Sequence, residues 1–136
     1  MEKSVSNRIF VDSGFVIALI NQRDQYHNQA LQLADRFENS PLLTTDAVLL
    51  EIGNALSRSH KQEAAAIIEY FLTSVEVEVV HLNARLLNQA LVLYRKYQDK
   101  AWSLVDCLSF VVMQEADIVQ VLSFDQHFTQ AGFRSF

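Results

Sequence analysis

A chain of 136 residues, half of them hydrophobic and 20% charged, has the composition of one packed domain and is too apolar to stay disordered. Three glycines and one proline leave little material for long loops, collagen-like segments or a many-turned β-sandwich. The net charge of −5 speaks against a protein that coats nucleic acid through a broad basic face.

Cys107 is the only cysteine, so no intrachain disulfide can form and a reducing compartment is expected. The start, MEKSVSNRIF, lacks the apolar core of a signal peptide. No apolar run approaches the ~18–20 residues of a membrane helix. The expectation is a cytoplasmic protein without membrane contact, with residues 1–136 forming a single domain.

Apolar spacing predicts alternating strands and helices. Arg8-Ile9-Phe10-Val11 reads as a strand ending at Asp12-Ser13-Gly14, followed by a short buried helix over Phe15–Ile20. A second helix is expected from Tyr26 to about Glu38, stopped near Asn39-Ser40-Pro41. Leu42–Thr44 is the next strand. Thr45 or Asp46 can cap a helix running to about Ser57, and Lys61–Thr73 is another helix. Val75 to Val80 alternates for most of its length, which suits the edge of a parallel sheet, since central strands are apolar on both sides. Helices over Leu82–Tyr97 and Ser103–Glu115, a strand over Ile118–Leu122 and a last strand near Phe133 complete the order. Such alternation implies an α/β domain: a three-layer α/β/α sandwich around a parallel sheet of about 4–5 strands.

Four acids stand in apolar surroundings. Asp12 and Asp125 each follow a strand, and in open parallel sheets the ligand crevice lies outside the carboxyl ends of the strands. Either could instead merely cap the next helix. Glu51 lies too deep in its helix to cap it, and its neighbours at three and four residues are Ala47, Val48, Asn54 and Ala55. A buried, unpaired carboxylate there costs several kcal/mol unless something compensates for it. Asp106, three residues after Ser103, fits a capping box, yet its helix is apolar nearly all round and is expected to be buried. Ser103 and Ser109 are placed to support its carboxylate.

Converging carboxylates with no Lys or Arg in the same motifs stay ionised only around a cation. Oxygen ligands without His or Cys select Mg²⁺ or Mn²⁺ over zinc. Such a site orients phosphate and activates water, so the chemistry indicated is metal-assisted phosphodiester hydrolysis.

Ile9-Phe10-Val11-Asp12-Ser13-Gly14, Leu49-Leu50-Glu51-Ile52-Gly53-Asn54-Ala55-Leu56, Ser103-Leu104-Val105-Asp106 and Ser123-Phe124-Asp125-Gln126-His127-Phe128 resemble the four acidic motifs of the PIN domain, and within it the VapC-type toxins of bacterial toxin–antitoxin pairs. Asp24 to Ala30 and Thr44-Thr45-Asp46 are similar to accessory stretches of that group, and the likeness runs from about Ile9 to Phe133. The resemblance implies a ribonuclease dependent on Mg²⁺ or Mn²⁺. Asp12, Glu51, Asp106 and Asp125 would be its metal-site and catalytic acids, with Asp12 and Asp106 the principal ligands. Asn54, Ser123, Ser13 and Ser103 would support them. It further implies an RNA substrate, a homodimer and a small antitoxin whose tail fills the groove. Ser123 stands where Thr is more usual and Cys107 where Ala is common; both substitutes are small.

The four histidines, at 27, 60, 81 and 127, show no metal-ligand spacing and read as surface or helix-end residues. Cys107, Trp102 and Phe110 read as core. Arg58, His60 and Lys61, and separately Arg95, Lys96 and Lys100, form small basic groups of the kind that usually face solvent. A P-loop and a glycine-rich dinucleotide motif are absent. A phosphoaspartate hydrolase would want an acid where Gly14 stands, and a receiver-like signalling domain leaves Glu51 without a role. A PIN-like module that binds RNA or protein without cleaving remains the alternative to an enzyme.

Overall fold

The computed structural model describes residues 6–136. The stretch MEKSV, part of the start read above as lacking a leader's apolar core, lies outside them.

Strand β1 (Ile9–Val11) leads into helices α1 (Ser13–Ile20) and α2 (His27–Arg36). β2 (Leu42–Thr45) is followed by α3 (Asp46–Ala55) and α4 (Lys61–Thr73), and β3 (Val77–Val80) by α5 (Ala84–Lys96) and α6 (Leu104–Glu115). β4 (Gln120–Leu122), the short α7 (His127–Gln130) and β5 (Arg134–Ser135) end the chain. All strand pairings are parallel, in the order β3-β2-β1-β4-β5. Helices α1–α4 pack among themselves as one group, while α5 packs on α6 and α6 on α7. This is the expected three-layer α/β/α arrangement with five strands.

The topology decides where a site can form. From β1 the chain steps outward through β2 to β3, then returns across the sheet to pair β4 with the other side of β1. Strand order therefore reverses between β1 and β4, and in such sheets the crevice opens at the carboxyl ends of the two strands flanking the reversal. Both strands lie inside the sheet, with neighbours on either side. Ile9, Phe10, Val11, Val121 and Leu122 have apolar side chains on both faces and are shut away from solvent. The Asp12 amide continues the β1–β4 ladder by donating to Leu122 O (3.1 Å), and the Thr44 hydroxyl donates to Val11 O (2.8 Å). The end of β1 is thus fixed from both neighbours. As its alternation predicts, β3 lies at an edge, with Glu78 exposed.

Several boundaries differ from those expected, each for a local reason. β3 starts at Val77 because Ser74 turns the chain, its hydroxyl accepting from Glu76 N (3.2 Å), which leaves Val75 fully exposed. α5 starts at Ala84 because the Asn83 side chain caps Leu86 N (2.9 Å). β4 starts at Gln120 because Asp117 takes a positive φ of 56° and Ile118 N bonds back to Met113 O. Helix α6 is not buried all round. Cys107, Leu108, Ser109, Phe110, Val112 and Met113 face the core, whereas Leu104 is 37% exposed and Asp106 is only partly buried. Trp102, Phe110 and Phe128 form a chain of edge-on rings (5.0 and 5.1 Å between centroids) that holds α6 and α7 together. α7 itself was not foreseen.

Candidate active site

Asp12, Glu51, Asp106 and Asp125, from four separate parts of the sequence, line one cleft of about 840 Å³ at the carboxyl ends of β1 and β4. Asp24 lines it as a fifth acid, and among the described residues no Lys or Arg does.

Each of the central acids is tied to the scaffold. Asp12 stands at the N-cap of α1 but makes no capping bond with its side chain. Its Oδ2 accepts instead from the buried Ser123 hydroxyl (2.9 Å), and the same hydroxyl accepts from Asp125 N (3.0 Å). One serine thus aligns two of the acids. Asp106 completes a capping box with Ser103: its amide donates to Ser103 Oγ and its Oδ2 accepts from Ser103 N, both at 3.0 Å. Asp125 Oδ1 accepts from His127 N (2.9 Å), which starts α7. The capping role weighed for Asp106 is therefore real, whereas Asp125 stands one residue ahead of the α7 N-cap, Gln126; Asp106 Oδ1 and Asp125 Oδ2 take no hydrogen bond among the described residues.

The electrostatics follow from burial and crowding. Burial pushes Asp12 up from 3.8 to about 7; hydrogen bonds from Ser123 and the Ser13 backbone oppose the rise, and the charges of Asp106 and Glu51 add to it. Glu51 is raised for the same main reason, with the Ser13 hydroxyl pulling it down and Asp106 pushing it up. Burial, then Asp106, also raises the Cys107 thiol, which suits an inert core residue.

The supports expected from sequence divide. Ser123, Ser13 and Ser103 act on Asp12, Glu51 and Asp106 as described. Asn54 is exposed and outside the cleft lining, and Ser109 is buried with its hydroxyl unpartnered among the described residues, so neither reaches an acid. His127, expected at the surface or at a helix end, does start α7, but it also meets the acids. Its Nδ1 lies 2.9 Å from Asp106 Oδ2 and 3.2 Å from Asp125 Oδ1, so the ring bridges two of the acids. The available signal was its position two residues after Asp125, where an aspartate at a helix start draws the following amides, and hence this side chain, toward itself.

The residues suit a divalent cation. Ligand atoms of Asp106, Asp125 and His127 lie within 4.8 Å of one another, and Asp12 and Glu51 share the cleft. Buried acids such as Asp12 and Glu51 gain from a positive charge among them, and carboxylate oxygens are the donors that a hard divalent cation takes.

Comparison with known proteins agrees with this arrangement. The profile of the PIN domain family matches residues 9–134. The chain belongs to the PIN domain family. It is 34% identical over 127 residues to the 23S rRNA-specific endonuclease VapC20 of Mycobacterium tuberculosis, the match covering 92% of this chain and 95% of that protein. It also superposes on the crystal structure of M. tuberculosis VapC20, described as a sarcin-ricin loop cleaving toxin, with a TM-score of 0.83 at 33% identity, over 93% of this chain and 96% of that one. The chain is thus similar in sequence and in fold to a protein named as an RNA endonuclease. Among the described residues no helix is long and apolar enough to cross a membrane.

Proposed function

We propose that this protein is a divalent-metal-dependent endoribonuclease and the toxin of a toxin–antitoxin pair. The observation that carries the reading is the convergence of Asp12, Glu51, Asp106 and Asp125 at the β1–β4 reversal, the three aspartates anchored by hydrogen bonds, in a cleft that no Lys or Arg among the described residues lines. The relation to VapC20 supports RNA as the substrate, ribosomal RNA in particular.

Asp12, Asp106 and Asp125 would hold Mg²⁺ or Mn²⁺. When bound, the ion supplies charge neutralisation at the phosphate and a lowered pKa for attacking water. Glu51, raised above an ordinary glutamate by burial, would be the group that accepts a proton from an attacking water. Ser123 keeps Asp12 and Asp125 in register. Ser103 and His127 hold the Asp106 carboxylate, and His127 the Asp125 one, so that neither turns away as charge builds on the phosphorane-like transition state. Phosphate is drawn to this local site instead of to a basic coat, which reconciles a net charge of −5 with RNA as substrate.

A homodimer, a small antitoxin occupying the cleft and a cytoplasmic setting complete the proposal; the resemblance supports them, and a lone, buried cysteine is consistent with a reducing compartment.

The purified chain is expected to cleave ribosomal RNA with Mn²⁺ or Mg²⁺ and to stop when EDTA is added. Cleavage that persists in EDTA would overturn the metal-dependent mechanism, and no cleavage with either ion would overturn the enzyme. Expression should arrest growth, and a short neighbouring reading frame should relieve the arrest.

A further inference from the structure

Among the described residues, the cleft lining has none of the Lys and Arg side chains by which RNA-binding proteins usually hold the phosphates beyond the reacting one. Affinity for a strand must then come partly from an uncharged source. The cleft contains one. Tyr26 and Phe124 are the only Phe, Tyr or Trp residues among the described ones that line it, and their rings are stacked at 4.5 Å with 10° between planes. Behind Phe124, the buried Phe15 ring follows at 6.1 Å, so the stack is rooted in the core.

We propose that the outer face of Tyr26 is a stacking platform for one unpaired nucleobase beside the scissile phosphate. The inference rests on the endoribonuclease reading and adds to it which substrate feature is selected. Three observations carry it. Phe124 stands in the chain between Ser123, which holds Asp12, and Asp125, so the platform is built into the segment that aligns the acids. Tyr26 is preset, its amide bonded to Asp24 Oδ1 (2.8 Å) and its carbonyl to Ala30 N (2.8 Å), so little freedom is left to lose on binding. Finally, Tyr26 is 37% exposed, only one of its faces is stacked, and its hydroxyl has no partner among the described residues.

A base can lie on Tyr26 only if it has left its own stack. Single-stranded loops and bulges offer such bases, whereas a duplex does not. The platform therefore selects an unstacked nucleotide within structured RNA and sets the phosphate next to it over the acids. Aromatic stacking is sequence-tolerant, since every base has a π-face. Base choice would fall to neighbours such as Gln25 and Gln126, whose amides also line the cleft.

The test compares Tyr26→Leu, Tyr26→Phe and Tyr26→Trp. Leucine keeps Phe124 covered, so a merely structural role would be preserved, while the π-face is lost. Cleavage is measured on a stem-loop oligoribonucleotide and on copies with a single abasic residue at each position near the cut. Binding of the same oligonucleotides is followed by fluorescence anisotropy with Ca²⁺ in place of Mg²⁺. Tyr26→Leu is expected to raise KM and the Kd about 5- to 100-fold with a smaller change in kcat, while Phe and Trp stay close to wild type. One abasic position should impose the same loss on the wild type and no further loss on Tyr26→Leu. Binding by Tyr26→Leu within about twofold of wild type, or an undiminished abasic penalty in that variant, overturns the platform. Cleavage by the wild type with no effect at Tyr26 would leave the nuclease standing alone. Tyr26-dependent binding without any cleavage would leave the platform standing and overturn the nuclease.

Discussion

Two aspartates at the ends of neighbouring strands have opposite fates. Asp46 begins α3 just past β2, where Thr45 does the capping by accepting from Val48 N (3.2 Å). Both Asp46 oxygens accept from Leu82 N at 3.1 Å, and His81 Nδ1 lies 3.3 Å from Oδ2. This carboxylate is fully spent on pinning the β3–α5 connection to α3. Asp12, one strand over, is more deeply buried, and its Oδ2 accepts the Ser123 hydroxyl beside Glu51 and Asp106. Residue type and strand-end position are shared. What separates architecture from chemistry is whether the surroundings satisfy the acid or leave it wanting a positive charge.

That contrast breaks most sharply under substitution. Asp12→Asn should lower kcat by about 10³-fold in a cleavage assay with Mn²⁺, the scale of losing several kcal/mol of charge stabilisation. Asp46→Asn should leave the rate unchanged. Equal losses at the two positions would erase the distinction. Ser123→Ala removes the hydroxyl that aligns Asp12 and Asp125, and ion affinity by calorimetry should fall about 10- to 100-fold. Ser123→Thr, which restores a hydroxyl, should recover most of it.

Stability should respond in the opposite sense from activity. Between 3.8 and about 7, folded Asp12 keeps a proton that the unfolded chain has already released, so this group makes the fold less stable as pH rises through that window and has a constant effect above it. Asp12→Asn should therefore melt at the same temperature as wild type near pH 4 and roughly 3–6 °C higher at pH 7.5, both in EDTA. Added Mn²⁺ should stabilise only the wild type and narrow the gap. The smallest effect is at the satisfied acid: Asp46→Ala should cost about 1 kcal/mol by urea denaturation, and His81→Ala, an exposed partner, under about 0.5 kcal/mol.

Much of this was legible in the sequence where the signal is local. The β1 run ending at Asp12, the helix over Lys61–Thr73, the edge character of β3 and the Ser103–Asp106 capping box are all set by residues within a few positions of one another. Convergence of the four acids was legible too, because strand ends in a parallel sheet share one rim. Side-chain direction was harder. Asn54, on the same helical face as Glu51 by spacing alone, points to solvent, and Ser109 faces the core away from Asp106. The contact of His127 with the acids escaped because its partner Asp106 is 21 residues away and its own helix has four residues, too short for periodicity to register.

The hydrogen bond from Ser123 to Asp12 spans 111 residues of chain. It forms only after β4 has crossed back to lie against β1, the most distant strand pairing along the sequence and the one whose loop closure is hardest to achieve. A ribosome that has not yet released residues 120–125 holds a chain with no assembled cleft. Assembly of the acidic cleft therefore waits on this long-range closure, and under the proposed function a growing or partly opened chain would leave the RNA around it uncut.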